Sequence, residues 1–210
     1  MKLFYMLTVI IFWSTSLAWS KPFPGHVHYE VKYSKEYTGG KHPREYEVDF
    51  YSSKNKKAIV TKAGLKGNEQ QVFIYIFDEE KKIMTFLDMK EKTYSLNAYE
   101  SLPISKISDH KPLNPSNAME ILGEKLFPIY FKNDQTNLTY SVWYSSYTVT
   151  PFLMNRLDIE RIIEPKTGRV ALILTREVAK DINAIYIANN VDSIIPKNIF
   201  DVPATFKKRN

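Results

Sequence analysis

Apolar and polar residues alternate from position 26 to 33, with Val27, Tyr29, Val31 and Tyr33 on one side of an extended chain and His26, His28, Glu30 and Lys32 on the other. A period of two over this length predicts a half-buried β-strand. Thr38-Gly39-Gly40 and His42-Pro43 break the run, after which Tyr46, Val48 and Phe50 alternate with Glu45, Glu47 and Asp49 in a second strand of the same kind. Strands patterned this way belong to an antiparallel sheet with one face in water. Positions 57–62 predict a short third strand and 64–68 a turn.

The stretch VFIYIFDEEKKIMTFLDMKEKTYSL, 72–96, sets three apolar runs around two charged interruptions, DEEKK and DMKEK. Short runs rich in β-branched and aromatic residues between charged turn formers predict consecutive strands of a meander. Its first run is apolar on both sides, Val72, Ile74 and Ile76 against Phe73, Tyr75 and Phe77, and is expected to be covered on both. Two segments are candidates for the cover. Positions 97–117 carry Pro103, Pro112 and Pro115 among Ser, Asn and Lys, and read as a long connection that is either a lid or a surface crossover. In TPFLMNRL, Thr150 can cap a first turn with Pro151 at the first helical position, which predicts a short helix. Further strands are expected at 126–131, 139–144, 157–163, 169–178 and 182–188, with a hairpin turn over 165–168. The chain therefore reads as mainly β, with at least nine strands, little helix and no repeat of fixed period.

The first twenty residues change the picture from fold to compartment. Lys2, an apolar run from Leu3 to Trp13 and a small polar stretch form a secretory signal peptide, too short to span a bilayer. Ala18 and Ser20 suit a cut before Lys21, and Ser16 and Ala18 a cut before Trp19; the first is preferred. The expected organisation is a signal peptide over 1–20 and one domain over 21–210, periplasmic or secreted, with no transmembrane segment in the mature chain. There is no cysteine, which removes disulfides, thiolate chemistry and the lipid-bearing cysteine of a bacterial lipoprotein. Net charge is +6; taking Lys2 from the 29 basic residues leaves 28 against 23 acidic ones, or +5. That excess fits anionic headgroups or lipopolysaccharide phosphates, but with both signs interspersed it reads first as an ordinary soluble surface, and no nucleic-acid partner is expected.

Candidate chemistry is sparse. His26-x-His28 places two imidazoles on one strand face, a start for copper or zinc, yet without cysteine the further ligands would have to come from His42, His110 and scattered carboxylates. Both histidines therefore read as polar positions on an amphipathic strand, and no metal or cofactor is expected. Ser108-Asp109-His110 are triad residue types, but triads are assembled by folds rather than by adjacency. Asp78, Glu79 and Glu80 read as a solvated turn. Asn137-Leu138-Thr139 is a glycosylation acceptor only in a eukaryotic host. With no hydrolase elbow, zincin motif or glycine-rich phosphate loop, the chain is expected not to be an enzyme. Aromatics make up 14% of it, and Phe73, Tyr75, Phe77, Phe86 and Trp143 are the candidates to line a cavity for an acyl chain, each competing with a role as plain core.

Several pieces occur in an order that resembles an exported bacterial family of unknown function with the lipoprotein-carrier fold of LolA and LolB. They are PFPGHVHYEV, FDEEKKIMTFLDMKEKTYSL, MEILGEKLFPIYF with the Trp143 strand after it, and DSIIPKNIFDVPATF. Two departures stand out: Lys125-Leu126 where many relatives carry a cysteine, and Thr205-Phe206 in place of a Gly-Tyr. The resemblance implies a mainly β (α+β) fold, a strongly curved antiparallel sheet forming an open half-barrel with short helices or a lid on the concave side. It also implies a non-catalytic binding protein that shelters a lipid or lipoprotein acyl chain in the cell envelope. The alternative is a periplasmic protein-interaction module with a filled core, its partner another envelope protein.

Overall fold

The computed structural model describes residues 20–34, 45–63, 71–98, 108–109, 118–132, 139–150, 161–164, 166–179 and 182–209. Their strands are β1 (Lys21–Pro22), β2 (His26–Tyr33), β3 (Glu45–Ser52), β4 (Lys56–Ala63), β5 (Gln71–Asp78), β6 (Ile83–Asp88), β7 (Thr93–Ala98), β8 (Ser108–Asp109), β9 (Met119–Ile121), β10 (Glu124–Leu126), β11 (Pro128–Lys132), β12 (Thr139–Thr148), β13 (Arg169–Ala179), β14 (Ile182–Asp192) and β15 (Lys207–Lys208). One large sheet runs in the order β15-β7-β6-β5-β4-β3-β2-β14-β13-β12-β11-β8, with β1 added alongside β12, while β9 and β10 form a separate hairpin.

Neighbours pair antiparallel except at two short places, β1 on β12 and β15 on β7, which are parallel and make the sheet mixed. The sheet consists of two meanders, β2 to β7 and β11 to β14, joined where β14 pairs with β2. The first and last long strands of the chain thus lie side by side in the middle of the sheet.

Alternation sorts the side chains into two cores. Val27, Tyr29 and Val31 of β2, Val48 and Phe50 of β3, Ile59 of β4 and Phe77 of β5 join Tyr140, Val142, Leu172, Leu174 and Tyr186 of the other meander in the larger one. Tyr29 also donates from its hydroxyl to the Ala171 carbonyl at 2.6 Å. Cross-strand pairs Tyr51–Ala58, Ala58–Ile76, Val60–Ile74 and Ile74–Leu87 carry the opposite face, where these six residues form a second core. The sequence expectation that 72–77 is covered on both sides holds, because Ile74 and Ile76 belong to this core and Phe77 to the other.

The cover is not the one expected. Ile195, Ile199, Phe200 and Phe206, from the segment after β14, pack on the second core. That segment runs through short turns, with Ile199 N–H to the Pro196 carbonyl and Phe206 N–H to the Pro203 carbonyl, before ending as β15. It forms a strap across the meander.

The α+β expectation is corrected. Among the described residues there is no helix, so neither short helices nor a helical lid covers a concave side. The half-barrel is corrected as well: the sheet is large, mixed and open, and its two edges are two-residue strands, β15 and β8. Closing a sheet requires a fixed stagger and edges that pair along their length; motif order along a sequence carries no information on either. The helix expected after Thr150 lies outside the described residues, as does most of 97–117, of which Asn97 and Ala98 end β7 and Ser108–Asp109 form β8. The strand expected at 126–131 is interrupted at Phe127, between β10 and β11, and the described end of 157–163 is a turn joined to β13 by a single bridge, Ile163 to Val170. No helix among the described residues is long and apolar enough to cross a membrane.

Candidate functional site

Four of the five aromatic candidates lie together. Phe73, Tyr75 and Phe77 alternate along β5 on the side of the larger core, and Phe86 of β6 is directly opposite Tyr75. The Phe86 ring is 5.1 Å from that of Tyr75 and, diagonally, 5.7 Å from that of Phe73, the reach expected of aromatic neighbours on one sheet face. Phe77 is 1% exposed and belongs to the core, whereas Phe73, Tyr75 and Phe86 are half-buried. The three form an aromatic step at the margin of the core. Trp143 is elsewhere: it sits on β12, six strands along the sheet from β5, between Pro128 and Ile173.

The opposite face of the sheet holds a polar constellation around Asp49, whose side chain is 4% exposed. Position 49 follows the polar side of β3, and the β2–β3 register sets it directly across from His28, with Tyr51 across from His26. His28 Nδ1 lies 2.7 Å and His26 Nε2 2.9 Å from the same oxygen, Asp49 Oδ1. Lys62 Nζ of β4 approaches the other oxygen, Oδ2, at 2.8 Å. The second nitrogen of His26, Nδ1, is 3.1 Å from Asp192 Oδ1 at the end of β14, and its ring stacks on Tyr51 with centroids 4.5 Å apart and planes 9° from parallel.

Burial alone would push the Asp49 carboxyl up, but hydrogen bonds from Lys62, His26 and His28 outweigh it and hold the group below the usual aspartate value. Asp192 is likewise held low: burial, the largest single influence, pushes it up, but the Ile194 backbone N–H, His26 and Asn190 together outweigh it. Burial pushes the Tyr51 hydroxyl up, and Asp49 adds to it. No group of three or more His, Asp or Glu among the described residues is arranged to hold a metal ion.

His26 and His28 were visible in the sequence as a pair, but Asp49, Asp192, Lys62 and Tyr51 were not. Only strand register brings them to the histidines, and the one available signal was an acidic residue at an inward-tending polar position of the next strand. Ser108 and Asp109 lie on β8, at the far edge of the sheet, while His110 is outside the described residues. Asp78 and Glu79 flank the β5–β6 turn as expected, though Glu79 pairs with the buried Lys57.

No protein-family model matches the chain, and no curated protein matches it. Among solved structures, one similar chain is that of PNGF-II in a C2 crystal form, with 13% identity and a TM-score of 0.46 over 88% of this chain and 31% of that one. This chain spans about a third of that protein's length, and a likeness of this degree carries neither fold nor activity.

Proposed function

We propose that the chain is a non-catalytic binding protein of the cell envelope that shelters an apolar moiety, a lipid or a lipoprotein acyl chain, against the step formed by Phe73, Tyr75 and Phe86. The observation that supports it is the half-burial of three contacting aromatics at the core margin. Rings left in that position lose water contact when an acyl chain lies over them, at about 25 cal/mol per Å² of apolar surface covered. The export signal expected from the sequence and the resemblance to lipoprotein carriers support this reading.

Gentle purification of the mature chain followed by mass spectrometry of what denaturation releases is expected to yield a lipid or acylated species. Phe86→Asp is expected to weaken binding of a fluorescent acyl probe at least tenfold, about 1.4 kcal/mol. A protein that leaves the envelope empty and takes up no probe overturns the reading. A second reading, an interaction module that adds a partner's strand, is favoured by β7: among the described residues its outer edge is paired only at Thr93 and Tyr94, and Leu96 further along is 45% exposed. Repeated capture of one envelope protein without lipid would establish it.

A further inference from the structure

The two ring nitrogens of His26 both face carboxylates, Nε2 toward Asp49 at 2.9 Å and Nδ1 toward Asp192 at 3.1 Å. A neutral imidazole has one N–H and can donate to one of them; only imidazolium donates to both. Both carboxyls are held below the usual aspartate value and serve as the acceptors. The stacked Tyr51 ring, 4.5 Å away, adds an aromatic face that favours a cation. The groups packed around the ring are Asp49 and Tyr51 from β3, Asp192 from β14 and His28 on its own strand, with Lys62 of β4 reached through Asp49.

Asp192 is also where the strap begins. The oxygen that meets His26 accepts the Ile194 backbone N–H at 2.7 Å, fixing the turn by which the chain leaves the sheet. Ile195 follows directly and lies against Gly25, the neighbour of His26: a Cβ on Gly25 would stand 2.9 Å from Ile195 Cδ1, and φ there is +134°. From this point the strap carries Ile199, Phe200 and Phe206 over the second core and ends in the β15 pairing and the Arg209–Asp88 ion pair at 3.0 Å.

We infer that His26 is a proton-operated latch: its imidazolium bridges Asp49 and Asp192 and fastens the root of the C-terminal strap, and loss of that proton loosens the strap from the apolar face of the meander. The link is present while both ring nitrogens carry protons and is lost when one of them leaves as pH rises. One charge-assisted hydrogen bond sets the scale of the effect, roughly tenfold in the opening equilibrium.

Hydrogen exchange of the full mature chain at pH 5.5 and 8.0, divided by the intrinsic chemical rates, tests this. Amides of 194–209 are expected to open about tenfold more at pH 8.0, with those of β13 unchanged. In His26→Gln, which hydrogen-bonds but does not titrate, strap opening is expected at the wild-type pH 8.0 level at both values. A wild-type strap indifferent to pH, or a pH dependence retained in His26→Gln, overturns the inference. Should that variant not fold, Asp192→Asn removes the exposed half of the bridge and is expected to give the same flat, raised opening. Ring nitrogen shifts of His26 in the wild type provide a further check, and a neutral ring at pH 5.5 overturns the latch outright.

Discussion

Lys57 puts an amine where the alternation of β4 puts apolar side chains, on the side of Ile59, and it is 1% exposed. It forms an ion pair with Glu79 from the following turn. Burial lowers its pKa from the ordinary 10.5 to about 8. Between those two values the unfolded chain binds a proton that the folded chain has released, so this group makes stability rise with pH from about 8 to 10.5. Below pH 8 both states are protonated and its contribution is constant. Lys57→Met keeps the volume and removes the titration; the carboxylate left behind, 19% exposed, can turn to water. Urea unfolding of both proteins at pH 7, 8.5 and 10 is expected to show wild-type stability rising relative to the variant, with the variant at least as stable at pH 7. A difference that stays constant across the three would show that burial does not govern this amine. In the sequence Lys57 reads as one more charged residue at a strand end. Its burial follows from the length of β4 and from what covers that end, neither of which is written in the local pattern.

The two charged interruptions of the meander turn out to be one device used twice. Asp78 and Asp88 each end a strand and accept with Oδ1 the backbone N–H three residues on, from Lys81 at 2.9 Å and Glu91 at 3.1 Å. The fourth residue on, Lys82 or Lys92, is left-handed, with φ of 54° and 51°. A side chain there costs about 1–2 kcal/mol of steric strain, and glycine removes it at an unfolded-state entropy cost of about 0.4–1 kcal/mol. Lys92→Gly is therefore expected to stabilise the protein by about 0.5 kcal/mol in urea unfolding; destabilisation would mean that the lysine side chain contributes more than its strain. Period and turn chemistry made the long strands β2 to β7, β13 and most of β12 and β14 legible. The strap was not: Ser193 to Phe206 contains Pro196 and Pro203 and has neither period, so its apolar residues gave no sign of the face they cover. The two-residue strands β1, β8 and β15 were equally hidden, since pairing over so short a length is decided by the partner strand.

At the scale of the molecule, the two meanders meet along β2 and β14, where Asn189 donates to Glu30 across 159 positions of sequence. Each meander is made of neighbours in sequence and closes short loops, whereas the seam can form only after most of the chain has been brought back on itself. The seam is therefore expected to assemble late, with its contacts absent from the folding transition state. Ala188, 1% exposed and paired with Tyr29 across the seam, tests this against Ile76, 4% exposed within the first meander. Ala188→Gly and Ile76→Val should each cost about 1 kcal/mol at equilibrium. In chevron measurements Ala188→Gly is expected to speed unfolding and leave the folding rate nearly unchanged, while Ile76→Val slows folding by a substantial share of its cost. If Ala188→Gly instead slows folding by its full equilibrium amount, the seam is the nucleus. The polar cluster of His26, Asp49 and Asp192, which spans that same seam, would then be built before the meanders it joins.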